Sequence, residues 1–121
     1  MPGAFLSAGD LLAAQRRRAE MMAHVDAALE EVDVLLCASS MDPPSRIEDA
    51  AETARTYPRQ ARAPFNTTGH PALAMAAGLS RGGLPLSVQF VGRNFGEATL
   101  FQVARSWERA SGVDRLHPAW L

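Results

Sequence analysis

The chain has 121 residues, about the length of one ordinary domain, with 47% hydrophobic and 21% charged residues and a formal charge of −1. Those shares exclude wholesale disorder, and the near-zero charge excludes a global basic field of the kind that gathers nucleic acid. Twelve arginines and no lysine remove every mechanism that needs a lysine amine.

The first element is a long helix. Asp10, or Ser7 just upstream, can accept a bond from an orphan backbone N–H and so begin it. Leu11, Met22, Val25, Leu29 and Val32 recur at helical spacing, with Gln15 and Arg18 filling the same stripe, which predicts one apolar face over about six turns. Arg16, Arg17 and Arg18 read as a solvated face. The almost continuously apolar run Val32–Ala38 then predicts a short, buried strand.

Asp42-Pro43-Pro44, Tyr57-Pro58 and Ala63-Pro64 each break regular structure. Residues 38–64 are therefore expected to form an irregular excursion, with room for one short polar helix between Ser45 and Arg55. Residues 65–71 read as a turn-rich connector. Leu73, Met75 and Ala77 alternate with Ala72, Ala74 and Ala76, and Leu86, Val88 and Phe90 alternate with Ser87, Gln89 and Val91. These two runs, joined by a loop from Gly78 to Pro85, predict an antiparallel β-hairpin. Small side chains on its first strand allow another element to approach closely. A last helix is expected to start at Asn94 with Glu97 three residues on. It carries the stripe Leu100, Val103, Ala104 and Trp107 and ends at Gly112. The tail from Leu116 is expected to be irregular, with Trp120 folded back on the body. Residues 1–121 together read as a single α/β domain.

The search for chemistry is mostly negative. His24, His70 and His117 are widely scattered, so no metal site is expected. Cys37, the only cysteine, excludes an internal disulfide framework and reads as a small core residue. Ser39 and Ser40 lie outside any G-x-S-x-G pattern and read as turn formers. Phosphate-binding glycine patterns are absent, as is any aromatic stripe interleaved with basic residues. No run approaches the roughly 18 apolar residues of a membrane span, and the N-terminus lacks a secretory pattern. A cytoplasmic protein that engages neither membrane nor nucleic acid is the expectation.

One stretch carries a resemblance. Pro64-Phe65-Asn66-Thr67-Thr68-Gly69-His70-Pro71-Ala72-Leu73, followed by Gly83-Leu84-Pro85-Leu86-Ser87-Val88-Gln89-Phe90-Val91-Gly92-Arg93, resembles the C-terminal segment of the amidase signature family. Glu97-Ala98-Thr99-Leu100 and Trp107-Glu108 continue the likeness. Upstream, Ser7 to Arg18 and Val32 to Leu36 look like the family's preceding helix and strand. The sequence departs from the family pattern at Cys37-Ala38-Ser39, where a Pro-Thr pair is usual, at Ala76, where Pro is usual, and at Ser87, where Gly is usual.

The resemblance implies a fragment of the amidase signature fold: a long N-terminal helix, a short buried strand, a β-hairpin and a C-terminal helix. It also implies hydrolysis of amide C–N bonds without a cofactor. The family's catalytic groups are a Ser nucleophile, a second Ser and a Lys, in a Gly/Ser-rich region upstream of this segment. None of them has a counterpart here, so no catalytic residue is carried over and the chain alone is expected to be inactive. It would then be a truncated gene product, an excised piece or one part of a split enzyme, its partner being the polypeptide that carries the catalytic region. The resemblance further suggests that Phe65, Asn66, Thr67, Thr68, Gly69 and His70 border a substrate pocket. The alternative reading is a self-associating structural module derived from an amidase. Under either reading open strand edges and the apolar stripe of the first helix favour a homo-oligomer.

Overall fold

The computed structural model describes residues 2–115. A short 3-10 turn precedes helix α1 (Ala8–Glu30), and strand β1 (Leu35–Ala38) follows it. Two short helices come next, α2 (Ala50–Thr56) and α3 (Ala63–Thr68). Strands β2 (Ala72–Leu79) and β3 (Pro85–Val91) and helix α4 (Glu97–Ser111) complete the fold, with a last 3-10 turn behind them. The sheet order is β1-β3-β2, antiparallel throughout. Expectations about the Leu116–Leu121 tail, including Trp120 and His117, lie outside the described residues.

β3 is the central strand and the core is built on it. Phe90, Val91 and Gln89 are buried along it, while Leu100 and Ala104 of α4 supply apolar cover. Phe90 meets Trp107 edge to face, with ring centroids 5.8 Å apart, an arrangement that matches the quadrupoles of the two rings. The Trp107 indole N–H donates to the Ala76 carbonyl at 2.8 Å. The alanines of β2 permit that approach. The hairpin forms as expected, but its strands run further than the alternation suggests. The connecting loop is therefore the five residues 80–84 rather than the expected eight, closed by a 2.8 Å bond from the Ser80 N–H to the Leu84 carbonyl. A register shift between Ala76 and Gly78, where Gly78 has φ 124°, places a bulge in β2. Glycine tolerates that backbone conformation.

α1 begins with a full capping box. The Ser7 hydroxyl accepts from the Asp10 N–H, and the Asp10 carboxylate accepts from the Ser7 N–H. The expected six-turn apolar face is not realised as a buried face. Leu29 is buried and Met22 and Val25 are half-buried, but every residue from Ala8 to Met21 is exposed, and Val32 lies beyond the helix. The Arg93 guanidinium, donating to the Leu29 carbonyl at 2.7 and 3.0 Å, ties only the C-terminal end of the helix to the sheet.

β1 also departs from expectation. It is four residues long, with Leu35 and Cys37 half-buried and Leu36 and Ala38 exposed. As an edge strand it has one neighbour, so a continuously apolar sequence does not become a continuously buried strand. α4 begins not at Asn94 but after Gly96, which has no side-chain cap. A tight turn with a 2.8 Å bond from the Gly96 N–H to the Arg93 carbonyl takes over, and Phe95 adopts φ 61° within it. Gly112, with φ 65°, ends α4 in the left-handed conformation as expected.

The contrast between the two ends of α1 is testable. Leu29→Ala, at a side chain 1% exposed, should cost about 2–5 kcal/mol in urea unfolding. Leu11→Ala, at a side chain 60% exposed, should change stability by less than about 0.5 kcal/mol.

Candidate functional site

Two regions bear on function. The first holds the six residues suggested by the family resemblance. Phe65 to Thr68 form most of α3 rather than a turn-rich connector, because Pro64 falls in the first helical turn, where a missing N–H costs nothing. Gly69 caps the helix with φ 82°, its N–H donating to the Phe65 carbonyl at 2.8 Å. Phe65 is half-buried and Asn66, Thr67 and Gly69 are exposed, whereas Thr68 and His70 are buried.

α1 holds this corner from above. The Arg18 Nε donates to the Thr67 carbonyl at 2.7 Å. The His70 ring is fully buried, with Nε2 3.1 Å from Asp26 Oδ1 and Nδ1 3.0 Å from Thr68 Oγ1. Asp26, His70 and Thr68 thus form a hydroxyl–imidazole–carboxylate chain of the kind that activates nucleophiles. Here the hydroxyl and the ring are sealed, with Thr68 1% and His70 5% exposed, so the chain joins two helices rather than reaching a substrate.

The second region is a cleft of about 690 Å³ between the C-terminal end of β1, the N-terminal half of β3 and α2. Asp42, Tyr57, Gln60, Arg62, Leu86 and Val88 are among its lining residues, and none of Phe65–His70 is. The Asp42 carboxylate lies between two guanidiniums, 3.7 Å from Arg59 and 3.9 Å from Arg55. Asp42 Oδ2 and Gln60 Oε1 are buried acceptors without a hydrogen-bond donor among the described residues. Sequence reasoning treats Asp42-Pro43-Pro44 only as a chain break and passes over Gln60 and Arg62. No motif marks these residues, because chain folding between distant segments creates the cleft.

Within the segment expected to be irregular, α2 takes the place allowed for a short polar helix, running from Ala50 to Thr56. Its N-cap Asp49 accepts from the Glu52 N–H at 2.9 Å, and Arg55 holds the Glu52 carboxylate through bonds of 2.6 and 2.8 Å. The Arg55 hydrogen bond keeps the Glu52 carboxyl below its ordinary range, and Glu52 in turn pushes the Arg55 guanidinium up. Ser40 behaves as a turn former, its hydroxyl donating to the Asp42 carbonyl at 3.0 Å. Ser39 is buried, and the Cys37 sulfur accepts from the Gln89 amide at 3.3 Å. Among the described residues no three His, Cys, Asp or Glu side chains are grouped to hold a metal ion, and no helix is long and apolar enough to cross a membrane.

With this architecture in view, the comparisons with known proteins agree. The Amidase family model matches residues 2–101, and the chain belongs to that family. The chain is 32% identical over 126 aligned positions to a putative amidase, AmiD, of Mycobacterium tuberculosis, an alignment covering 95% of this chain and 26% of that protein. It is 32% identical over 111 positions to one subunit of the glutamyl-tRNA(Gln) amidotransferase of a Cyanothece species, covering 88% of this chain and 23% of the relative. The crystal structure of the corresponding subunit from Thermotoga maritima superimposes with a TM-score of 0.71 at 27% identity, over 78% of this chain and 21% of that one. The chain therefore spans about a quarter of the length of the curated relatives it matches.

Two measurements probe these regions. Asp26→Ala leaves the buried His70 ring without its carboxylate and should destabilise the fold by about 1–3 kcal/mol. The exposure of Asp26 argues for the lower end. Adding His70→Leu should recover most of that loss, because both polar partners are then gone. Separately, Glu52 binds a proton less readily in the folded than in the unfolded chain. Its contribution is present above the ordinary glutamate range and is lost as pH falls through the lower folded value. Amide exchange in α2 should therefore accelerate on acidification relative to the β3 core, and Glu52→Gln should remove that pH dependence.

Proposed function

We propose that this chain serves as the C-terminal segment of an amide C–N hydrolase, contributing sheet and pocket wall while another polypeptide region carries the reacting groups. The observation that carries this reading is the family match over residues 2–101, together with the superposition on a larger protein of which the chain covers only a fifth. The chemistry of the side chains agrees. Without lysine, the Ser-Ser-Lys machinery implied by the family resemblance has no counterpart in this sequence. The one relay-like arrangement described, Asp26–His70–Thr68, is closed to substrate.

In this reading Phe65, Asn66, Thr67 and Gly69 form a border of the substrate pocket once the catalytic region is docked, and the buried Thr68 and His70 hold that border from behind. Their support is the rigidity of the corner: Arg18 and Asp26 pin α3 and its cap from one side. The exposed half of α1, where Leu11 and Leu12 are 60% and 54% exposed, is surface available for that docking. The reaction needs no cofactor, because a serine nucleophile with a general base suffices for acyl transfer. The partner is the polypeptide bearing the catalytic serines and lysine, and the setting is the cytoplasm. A relative named as one subunit of an amidotransferase is by that name a member of an assembly, which fits a chain that works with a partner.

The test is complementation. The purified chain alone should not turn over a panel of aliphatic and aryl amides. Co-expression with a polypeptide carrying a Ser-Ser-Lys amidase region should give a co-purifying complex with amidase activity, lost on substitution of that region's lysine. Turnover by the isolated chain that survives repurification, or failure of any such polypeptide to bind, would overturn the proposal.

A further inference from the structure

His70 is a buried titratable group that no step of the proposed reaction uses. Its ring is wholly enclosed, and its two nitrogens meet partners of different kinds. Nε2 lies 3.1 Å from Oδ1 of Asp26, a carboxylate of α1 that is 54% exposed. Nδ1 lies 3.0 Å from the hydroxyl of Thr68, the last residue of α3. An ionised carboxylate only accepts, so Nε2 carries the hydrogen of the neutral ring and Nδ1 is left as an acceptor. The Thr68 hydroxyl then donates to Nδ1.

That hydroxyl decides what the ring can do. A backbone N–H in its place could only donate, and it would bar a second proton from the ring. A hydroxyl donates or accepts as its neighbours require. Once a proton sits on Nδ1, that N–H donates to Thr68 Oγ1, and the hydroxyl hydrogen turns to the Phe65 carbonyl 3.5 Å away. The neutral and the protonated ring therefore both keep two partners, and neither state leaves a buried N–H unmet.

The charges around this corner come from few elements. Among the described residues Asp26 is the one carboxylate paired with the ring. α1 also brings Arg18, whose Nε donates to the Thr67 carbonyl and whose Nη2 lies beside Gly69. α3, β2 and β3 carry no charged residue. Arg93, just past β3, is engaged by the Leu29 carbonyl, and Glu97 of α4 borders a separate hollow with Pro71 and Ala72.

We infer that Asp26 and His70 form a pH-sensitive strap between α1 and the α3 corner, with the Thr68 hydroxyl as the contact that reverses. A proton taken from solvent turns the neutral N–H···carboxylate bond at Nε2 into a charge-assisted one, the stronger kind. The effect is reciprocal: whatever factor Asp26 adds to the proton affinity of the ring, the bound proton adds to the hold of Asp26. The strap therefore tightens as pH falls through the titration of His70 and slackens as pH rises through it. It is lost in stronger acid, where the carboxylate itself takes a proton. Because the ring is closed in, exchange of its proton with solvent needs a brief opening of the corner. Among the described residues the Arg18 bond to Thr67 is the other polar tie between α1 and α3, so the strap governs how firmly the helix lies on this corner. The inference holds whether or not the corner borders a substrate pocket.

The experiment uses the purified, isotopically labelled chain, with the ring nitrogens followed by NMR between about pH 8 and about pH 5. At the upper end Nε2 should carry the only ring hydrogen. At the lower end both nitrogens should be protonated while the β3 amides keep their native shifts. Asp26→Asn keeps an acceptor oxygen and removes the charge. Its cost in urea, read as a ratio of unfolding constants, should be at least about fivefold larger at the acid end than at the alkaline end. The same substitution in a His70→Leu background should cost the same at both ends. Thr68→Val sets a methyl where the reversing hydroxyl stood and should move the ring titration by about one pH unit or more toward acid. A ring that stays neutral in the folded chain, a hydrogen on Nδ1 rather than Nε2 at the upper end, an Asp26→Asn cost equal at both ends, or a titration unmoved by Thr68→Val would overturn the inference. If a variant does not fold, the ring spectra of the wild type decide alone. No second polypeptide and no turnover enters these measurements, so their failure is distinct from failure of the complementation test.

Discussion

Among the described residues β3 is the only strand with neighbours on both sides, and its double pairing is the constraint on which the rest of the fold depends. Alternate residues of β3 spend their backbone groups on β1 and β2 in turn, so the strand has no free edge. Its side chains can therefore be buried at Gln89, Phe90 and Val91 without leaving backbone polar groups unmet. α4 reaches the sheet through Leu100, Ala104 and Trp107, and α1 reaches it chiefly where Arg93, just past the end of β3, grips the Leu29 carbonyl. Elements far from β3 are correspondingly exposed, the first half of α1 most of all.

This distribution of burial separates what the chain holds by itself from what it presents to others. Leu11, Leu12 and Leu36 are large apolar residues more than half exposed, and among the described residues the outward backbone groups of β1 have no strand beside them. The corner built by α3, His70 and Asp26 is by contrast fully satisfied. The cleft around Asp42 and Gln60 is a separate feature. There the carboxylate is neutralised by two arginines but not hydrogen-bonded at Oδ2.

Local sequence signals are legible where the deciding physics is local. The Ser7–Asp10 capping box, the hairpin from alternation, the packing stripe of α4 and its Gly112 stop all depend on residues within a few positions of one another. The signals fail where a second solution competes nearby. Asn94 has the chemistry of a cap, yet the Arg93–Gly96 turn places Gly96 there instead. The residues following Pro64 look like turn formers, yet proline in the first turn starts a helix as readily as it ends one. The family, too, is legible, because its spaced Pro, Asn, Gly and Gln positions are turn and strand requirements written directly in the chain.

What the sequence by itself determined is most of the helices and strands, α3 excepted, and which family they belong to, since propensity, capping and turn geometry act over short distances. Only the tertiary structure decided which apolar residues are covered. Leu29 and Leu11 lie on the same helical stripe, and one is buried while the other is open, because Arg93 and β3 stand beside the first and nothing described stands beside the second. Leu36 and Phe90 are opposite one another in register, and they differ for the same reason: β3 has a strand on each side and a helix over Phe90, while β1 has one neighbour. Burial is a property of what a residue meets, and that is settled by the arrangement of elements distant in the chain.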